Sequence, residues 1–350
     1  MIKGNNTTNS EKSYREIFLD SSSSLKEFAT NRRRYYKRYI LSETVEEEED
    51  TKASVTGKLV ETILLEANLF DKKFYMSACA STPSGLMLSF VEALYKHTKN
   101  SMNEEGVVMR EFSDISQDAY ADSGFKIKYK AVIQKFVGSD AEIYYNEILK
   151  VRTNNLIVVT TQDVTNAEKI VEELKTNFVT ADVVNMVNSD RWEVHNQLQI
   201  EGYEINELKM KSMIDKCIID HEKKIIYIYD LKCTWSVEGF YKEYFLYRKS
   251  YIQAYAYHKA IQHYRNENLP GYSIQPIAFI VCDSTNYYNP LIYQLTFEDL
   301  KEAQDGFEYK GTQYQGTLSI IEDLKWAQEN NQWGISRENY LSNGIVNLKN

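Results

Sequence analysis

The stretch that most constrains the fold is "KMKSMIDKCIIDHEKKIIYIYDLKC", which runs from Lys209 to Cys233. Two runs rich in β-branched and aromatic residues flank a polar segment, "DHEKK", and this composition is typical of a β-hairpin. Because side chains alternate along a strand, Asp230 and Lys232 lie on one face of the second strand. With the turn in the middle of the polar segment, Asp215 lies opposite or diagonal to Asp230. The hairpin therefore carries two carboxylates and a lysine among core residues.

Two carboxylates this close repel each other in an apolar setting, which costs stability unless a cation lies between them. Lys232 offsets one of the two charges. A divalent metal ion would offset more, and oxygen ligands suit Mg²⁺ or Mn²⁺. The plain alternative is a pair of edge-strand carboxylates that face solvent, with Lys232 as an ordinary surface lysine. The hairpin alone leaves both interpretations open.

The chain has 350 residues, of which 43% are hydrophobic and 26% charged, so it is long and apolar enough to bury a substantial core. We find neither an apolar run of membrane-span length nor a secretory signal, and we expect a cytoplasmic protein. The cysteines follow no CxxC spacing, which favours reduced thiols over disulfides or a zinc site. They are Cys79, Cys217, Cys233 and Cys282.

The formal net charge of −9 argues against a protein that coats nucleic acid through bulk electrostatics. A local basic groove stays compatible with this charge. The run "NRRRYYKR" and the later Lys242, Arg248 and Lys249 are candidates for such a groove. The alternative is a solvated, arginine-rich helix face.

Hydrophobic periodicity predicts helices first, then strands, one further helix, two strands and a last helix. This order indicates an α/β (α+β) domain with a central mixed sheet flanked by helices. We expect residues 1–12 to form a loose tail and residues 13–345 to form a single domain. Residues from about 81 to 190 are predicted to be a mostly helical insertion.

The hairpin resembles the active-site hairpin of the PD-(D/E)xK nuclease superfamily. The likeness is greatest to the RecB-like branch that includes phage recombination exonucleases of the lambda-exonuclease and RecE types. In that branch a strand with the motif "KGxxD" is followed, after a short turn, by a strand with the motif "(D/E)hKT". Here "KSMID" is followed in the same way by "DLKCT". Ser212 stands in place of the usual Gly, and Cys233 and Thr234 replace a Thr pair. Neither change removes a metal ligand.

Three further segments resemble the same branch in the same order. Gln253 and Tyr257 match the QxxxY motif that follows the catalytic strand. "GKLVETILLE" resembles the "GxxhHxxLLE" helix, with Glu61 where many members carry His. The resemblance leaves open whether Glu61 touches the metal. "SSSSLKEFATNRRRYYKRY" resembles the opening helix of the family, which often lies beside the DNA path.

The resemblance implies a restriction-endonuclease-like core and a set of residue roles. One or two Mg²⁺ ions, with Mn²⁺ able to substitute, would be bound by Asp215, Asp230, the Leu231 carbonyl and, with less support, Glu61. Lys232 would orient or deprotonate the attacking water or stabilise the developing charge, while Gln253 and Tyr257 support the site. The candidate DNA contacts are Arg32, Arg33, Arg34, Lys211 and Arg248.

The function implied is a Mg²⁺-dependent DNA exonuclease of recombination or repair, phage-like, acting on double-stranded ends. An endonuclease of the same fold and a non-catalytic DNA-binding relative stay open, as does an unrelated metabolic enzyme. The expected partners are DNA and a single-strand annealing or binding protein, with no membrane. A ring-shaped homo-oligomer could concentrate basic residues in a central channel and leave its outer surface acidic, which would be compatible with the negative net charge. The RecB-like enzymes that hold an iron–sulfur cluster use one Cys near the start of the chain and three near the end. Because this chain has no Cys before Cys79 or after Cys282, the resemblance implies no such cluster.

Overall fold

A computed structural model of the chain describes residue 14 and residues 16–43, 51–79, 82–103, 105–152, 156–285 and 289–346. The chain divides into two compact units. The first unit comprises residues 1–50 and 172–350, and the second comprises residues 51–171. The predicted tail at 1–12 lies outside the described residues.

We number the elements in chain order. The helices are α1 (Ser22–Thr30), α2 (Arg32–Tyr35), α3 (Lys52–Leu65), α4 (Phe70–Lys73), α5 (Gly85–Asn100), α6 (Phe112–Asp122), α7 (Tyr129–Phe136), α8 (Asp140–Val151), α9 (Thr161–Thr176), α10 (Ala181–Val184), α11 (Ser250–Asn268), α12 (Phe297–Asp305), α13 (Thr317–Asn330) and α14 (Arg337–Leu341). The strands are β1 (Phe74–Met76), β2 (Ile157–Val159), β3 (Trp192–Ile205), β4 (Leu208–Asp220), β5 (Ile225–Thr234), β6 (Ser273–Ile274), β7 (Ala278–Asp283), β8 (Leu291–Gln294), β9 (Gly306–Tyr309) and β10 (Thr312–Gln315). Single π-helical turns cover Tyr36–Ile40 and Tyr241–Tyr247.

The first unit is built on a six-stranded mixed sheet. Its strands lie in the order β3-β4-β5-β7-β8, and β6 pairs with β5 beside this path. β4 is antiparallel to both β3 and β5, β5 and β7 are parallel, and β7 and β8 are antiparallel. This arrangement confirms the predicted α/β class with a central mixed sheet flanked by helices.

The β4–β5 hairpin predicted from the sequence is confirmed, with a turn over residues 221–224. Asp220 ends β4, and its carboxylate accepts the backbone N–H groups of Glu222 and Lys223 at 3.0 Å each. Such a side-chain cap closes the turn in place of a further pair of ladder bonds. The guanidinium of Arg191 lies 2.7 Å from the other Asp220 oxygen and holds the pKa of that carboxyl below its usual range, at about 2. Local polar chemistry therefore sets the register of the strands that carry the site.

Helix α11 packs on β3, β4, α1 and α12. It is buried on almost every side, because the sheet and neighbouring helices leave it no broad solvent face. Leu25 and Phe28 of α1 join this core with the isoleucines of β4 and β5. The α1 helix starts from a capping box in which Ser21 and Ser24 bond each other's backbone N–H. The amphipathic pattern of α1 thus directs its apolar side toward α11.

The second unit contains α3 to α8, most of α9 and a short parallel pair, β1 and β2. Phe90, Leu94, Ile115 and Ile148 form the centre of its core. Its limits, 51 and 171, differ from the predicted insertion at about 81 to 190, because α3 belongs to this unit and α10 to the first. β1 and β2 have three residues each, too few for a periodic pattern. No helix in the described parts of the chain is long and apolar enough to cross a membrane.

His258 of α11 gives the first unit a dependence on pH. The side chain is 8% exposed, and burial lowers its pKa to about 4, with smaller contributions from the charges of Lys259 and Arg265. The folded state therefore keeps this imidazole neutral while the unfolded chain takes up a proton below pH 6.5. We expect a loss of about 2 kcal/mol of stability between pH 8 and pH 5.

Urea unfolding of the wild type and His258→Gln at both pH values measures this contribution. The variant, whose amide can replace the imidazole bond to Gln262 at 3.0 Å, should lose less stability on acidification. All other titrating groups are common to both proteins. Parallel pH dependence of the two free energies would contradict the assignment to His258.

Candidate active site

Two carboxylates meet on one face of the β4–β5 hairpin. Lys216 pairs with Tyr229 in the ladder, so the next position along β4, Asp215, comes beside Asp230 of β5. An oxygen of Asp215 accepts the Leu231 backbone N–H at 2.8 Å. Asp230 is 1% exposed and lies where the isoleucines of β5 turn toward the core. The predicted juxtaposition of these carboxylates is present.

Two side chains contact the buried Asp230 carboxylate, and a third contacts one of these two. Lys232, two residues along β5, forms an ion pair with Asp230 Oδ2. Gln253 of α11 donates from Nε2 to Asp230 Oδ1 at 2.7 Å and to the hydroxyl of Tyr257 at 2.9 Å. Burial, with the negative charges of Asp230 and Asp215, raises the pKa of the Tyr257 phenol well above its ordinary value, so the phenol stays neutral. Asp230, Lys232, Gln253 and Tyr257 thus form one connected cluster, and Asp215 lies beside it on the neighbouring strand.

Sequence reasoning missed a second lysine at this cluster. Lys26 of α1 donates from Nζ to Gln253 Oε1 at 3.1 Å. Burial and, to a smaller extent, the positive charge of Lys232 lower the pKa of its ammonium to about 7, while Asp230 opposes the shift. The sequence carries one weak signal for Lys26, its position inside the amphipathic α1 segment "SSSSLKEF". Only the packing of α1 on α11 brings it to the site.

The donor atoms of the cluster are those that a hard divalent cation prefers. Two carboxylates and the adjoining Leu231 carbonyl offer oxygen ligands, as Mg²⁺ and Mn²⁺ require. No third His, Cys, Asp or Glu side chain joins them among the described residues of the first unit. Such a set would leave coordination positions for water and a phosphate oxygen. The residues present therefore fit the predicted metal.

Glu61, the further ligand suggested by resemblance, lies on α3 in the second unit. It is half-buried and takes part in an interaction of its own. Its role at a metal stays a prediction.

Three of the predicted DNA contacts have partners inside the first unit. Arg32 pairs with Asp323 and stacks over Phe28, and Arg34 pairs with Glu27 at 3.1 Å. Lys211 is 8% exposed, and its ammonium donates to the backbone carbonyls of residues 14 and 17 at 2.7 and 2.8 Å. These cations hold α1, α13 and the chain before α1 in place, and a contact of any of them with DNA stays a prediction. Met210, Lys211 and Ser212 of β4 are all buried, because the chain before α1 covers this part of the strand.

Two other cations of the "NRRRYYKR" run have a different environment. Arg33 and Lys37 are exposed, and no described residue forms an ion pair with either. They line a cleft of about 490 Å³ with Tyr36, Leu41 and the 331–334 segment. Arg248 is also exposed, with its guanidinium stacked 4.6 Å above the Tyr244 ring. Among the predicted DNA contacts, Arg33 and Arg248 thus stay accessible.

No known protein family matches the chain, and no curated protein is similar to it. Among solved structures, one described as a "Putative exonuclease" from Eubacterium rectale matches over 99% of this chain and 96% of that chain. The two sequences are 12% identical and the TM-score is 0.45. A likeness this distant carries no argument, so the functional assignment depends on the geometry of the site.

Proposed function

We propose that this protein is a metal-dependent deoxyribonuclease that hydrolyses phosphodiester bonds at DNA ends. The observation that carries the proposal is the cluster of Asp215, Asp230 and Lys232 on one face of the β4–β5 hairpin, with Gln253 bonded to Asp230. The sequence order of these residues also matches the nuclease motif described above. We also propose that the enzyme acts in DNA recombination or repair, either for a phage or for a cell.

Phosphodiester hydrolysis needs an activated water and a neutralised phosphate. When bound, Mg²⁺ or Mn²⁺ would supply positive charge at the scissile phosphate. Asp215, Asp230 and the Leu231 carbonyl would hold that ion. The Lys232 ammonium, 21% exposed at its side chain, would orient the attacking water or stabilise the developing negative charge. Gln253 keeps Asp230 in place, and the neutral Tyr257 phenol supports Gln253.

The direct test is cleavage of linear duplex DNA with one labelled end, in Mg²⁺ and in EDTA, beside circular duplex DNA. We expect the linear form alone to be degraded, and only with the metal. Cutting of circles would instead assign an endonuclease of the same chemistry. Absence of cutting on duplex and single-stranded substrates, in Mg²⁺ and Mn²⁺, would overturn the enzyme assignment and favour a DNA-binding subunit.

DNA binding gives a separate prediction for the cleft lined by Arg33 and Lys37. If both cations contact phosphates, Arg33→Ala and Lys37→Ala should each lower the slope of log Kd against log salt concentration by about 1. Fluorescence anisotropy with a duplex oligonucleotide in Ca²⁺, which slows hydrolysis, measures these slopes. Lys301→Ala, an exposed lysine of α12, is the matched control. Slopes equal to that of the control would remove the cleft from the DNA path.

A further inference from the structure

The Lys26 side chain links the first helix of the domain to the candidate metal ligand. It lies 227 positions before Gln253 in the chain, yet its Nζ is 3.1 Å from Gln253 Oε1. An ammonium group only donates hydrogen bonds, so the contact requires the amide oxygen to face Lys26.

The Gln253 amide uses both of its ends in this arrangement. Its oxygen accepts from Lys26, and its nitrogen donates to Asp230 Oδ1 at 2.7 Å and to Tyr257 at 2.9 Å. If the amide were turned over, its N–H groups would face the lysine and its oxygen would face a carboxylate. Both contacts would then be repulsive. One orientation of the amide therefore satisfies Lys26 and Asp230 together.

A cation bound at Asp230 would change this balance. The cation would attract the negative charge of the carboxylate, and this would weaken the hydrogen bond from Gln253 Nε2 to Asp230 Oδ1. The bond from Lys26 to Oε1 does not involve the carboxylate and would persist. Groups that hold a metal ligand in this indirect way typically change metal affinity by about 10- to 100-fold when they are removed.

We propose that Lys26 is a positioning residue that acts through Gln253 to hold the Asp230 carboxylate in its metal-binding geometry. The inference rests on the proposed function, and it adds to the site a residue from outside the hairpin and α11. Lys26 is not assigned a contact with substrate or water.

The experiment is calorimetric titration of Mn²⁺ into the DNA-free protein at pH 6. At this pH the Lys26 amine, with a pKa of about 7, is mostly the charged ammonium that only donates. Removing its charge would by itself lower the Kd for Mn²⁺, so a raised Kd reports the loss of positioning. We expect Lys26→Met to raise the Kd for Mn²⁺ by about tenfold or more. Lys26→Gln, which keeps a donor, should recover part of this loss where its shorter side chain reaches Oε1.

A double-mutant cycle with Gln253→Leu separates positioning from a general loss of structure. Because Lys26 acts through Gln253, adding Lys26→Met to Gln253→Leu should raise the Kd no further. Lys301→Met is the matched control, because it removes an exposed lysine from α12, a helix that packs on α11. Its Kd should equal that of the wild type. Thermal midpoints in EDTA identify any variant that fails to fold. If Lys26→Met fails to fold, Lys26→Gln takes its place in the cycle.

The outcomes distinguish this inference from the proposed function. Absence of Mn²⁺ binding to the wild type would overturn the proposed metal chemistry itself. Normal binding by the wild type with an unchanged or lower Kd in Lys26→Met would overturn only the role of Lys26. Additive losses in the double variant would also overturn it, because they would place the effect of Lys26 outside Gln253.

Discussion

Replacing Lys232 with methionine is expected to reduce DNA cleavage by about 10³-fold or more. Within the part of the chain that the structure describes, Lys232 forms an ion pair with Asp230. Methionine keeps much of its length without a donor or a charge. In the proposed mechanism Lys232 orients the attacking water or stabilises the developing negative charge. Both effects lower the free energy of the transition state. The loss should therefore fall on the rate of the chemical step. Single-turnover cleavage of labelled linear duplex, with enzyme in excess, measures that rate.

The same variant should still bind the metal, since both carboxylates remain. Calorimetry with Mn²⁺ should give a Kd no weaker than that of the wild type, because a neighbouring positive charge has been removed. Lys223→Met, in the exposed turn of the same hairpin, should cleave at the wild-type rate. A Lys232→Met rate within tenfold of the wild type would show that this lysine does not take part in the chemistry.

Replacing Asp230 with asparagine is expected to remove the stabilisation that Mg²⁺ confers on the folded protein. A ligand at 100 times its Kd stabilises a protein by about 2.7 kcal/mol when only the native state binds it. Asparagine has nearly the same volume and keeps an oxygen that can accept from Gln253, but it lacks the charge that binds the cation. Urea unfolding in EDTA and in saturating Mg²⁺ measures the difference in the free energy of unfolding.

We expect the wild type to gain stability in Mg²⁺ and Asp230→Asn to gain little or none. Asp190→Asn, which alters an exposed aspartate ahead of β3, should behave as the wild type. An equal gain in Asp230→Asn would mean that the ion binds elsewhere in the chain. Cleavage by this variant should fall together with its metal binding.

The hairpin and its carboxylates were predictable because their determinants are local. Alternation along β4 and β5 places Asp215, Asp230 and Lys232 on one face, and the polar turn sets the register. The i, i+4 spacing of Gln253 and Tyr257 on α11 likewise follows from helix geometry alone. The contact of Gln253 with Asp230 is consistent with the expectation drawn from the motif order. The roles of these residues in chemistry stay predictions.

The basic residues were less predictable, because the pattern of charge in "NRRRYYKR" does not say which cations meet a carboxylate. Asp323 and Glu27 take Arg32 and Arg34, while Arg33 and Lys37, on another side of the same turns, meet none among the described residues. The burial of Lys211 on β4 was equally unpredictable from the sequence pattern. Burial there depends on the chain segment that covers the sheet, which no local pattern specifies.

By itself, the sequence determined the elements whose signals are periodic or local: the amphipathic α1, the β4–β5 hairpin, α11 and the later strands. It also determined which residue types could form a metal site. Only the tertiary structure decided that Lys26 reaches Gln253, that Lys211 is buried, and that the inserted unit runs from 51 to 171. These features depend on contacts between residues far apart in the chain, and side-chain spacing along a strand or helix carries no information about them.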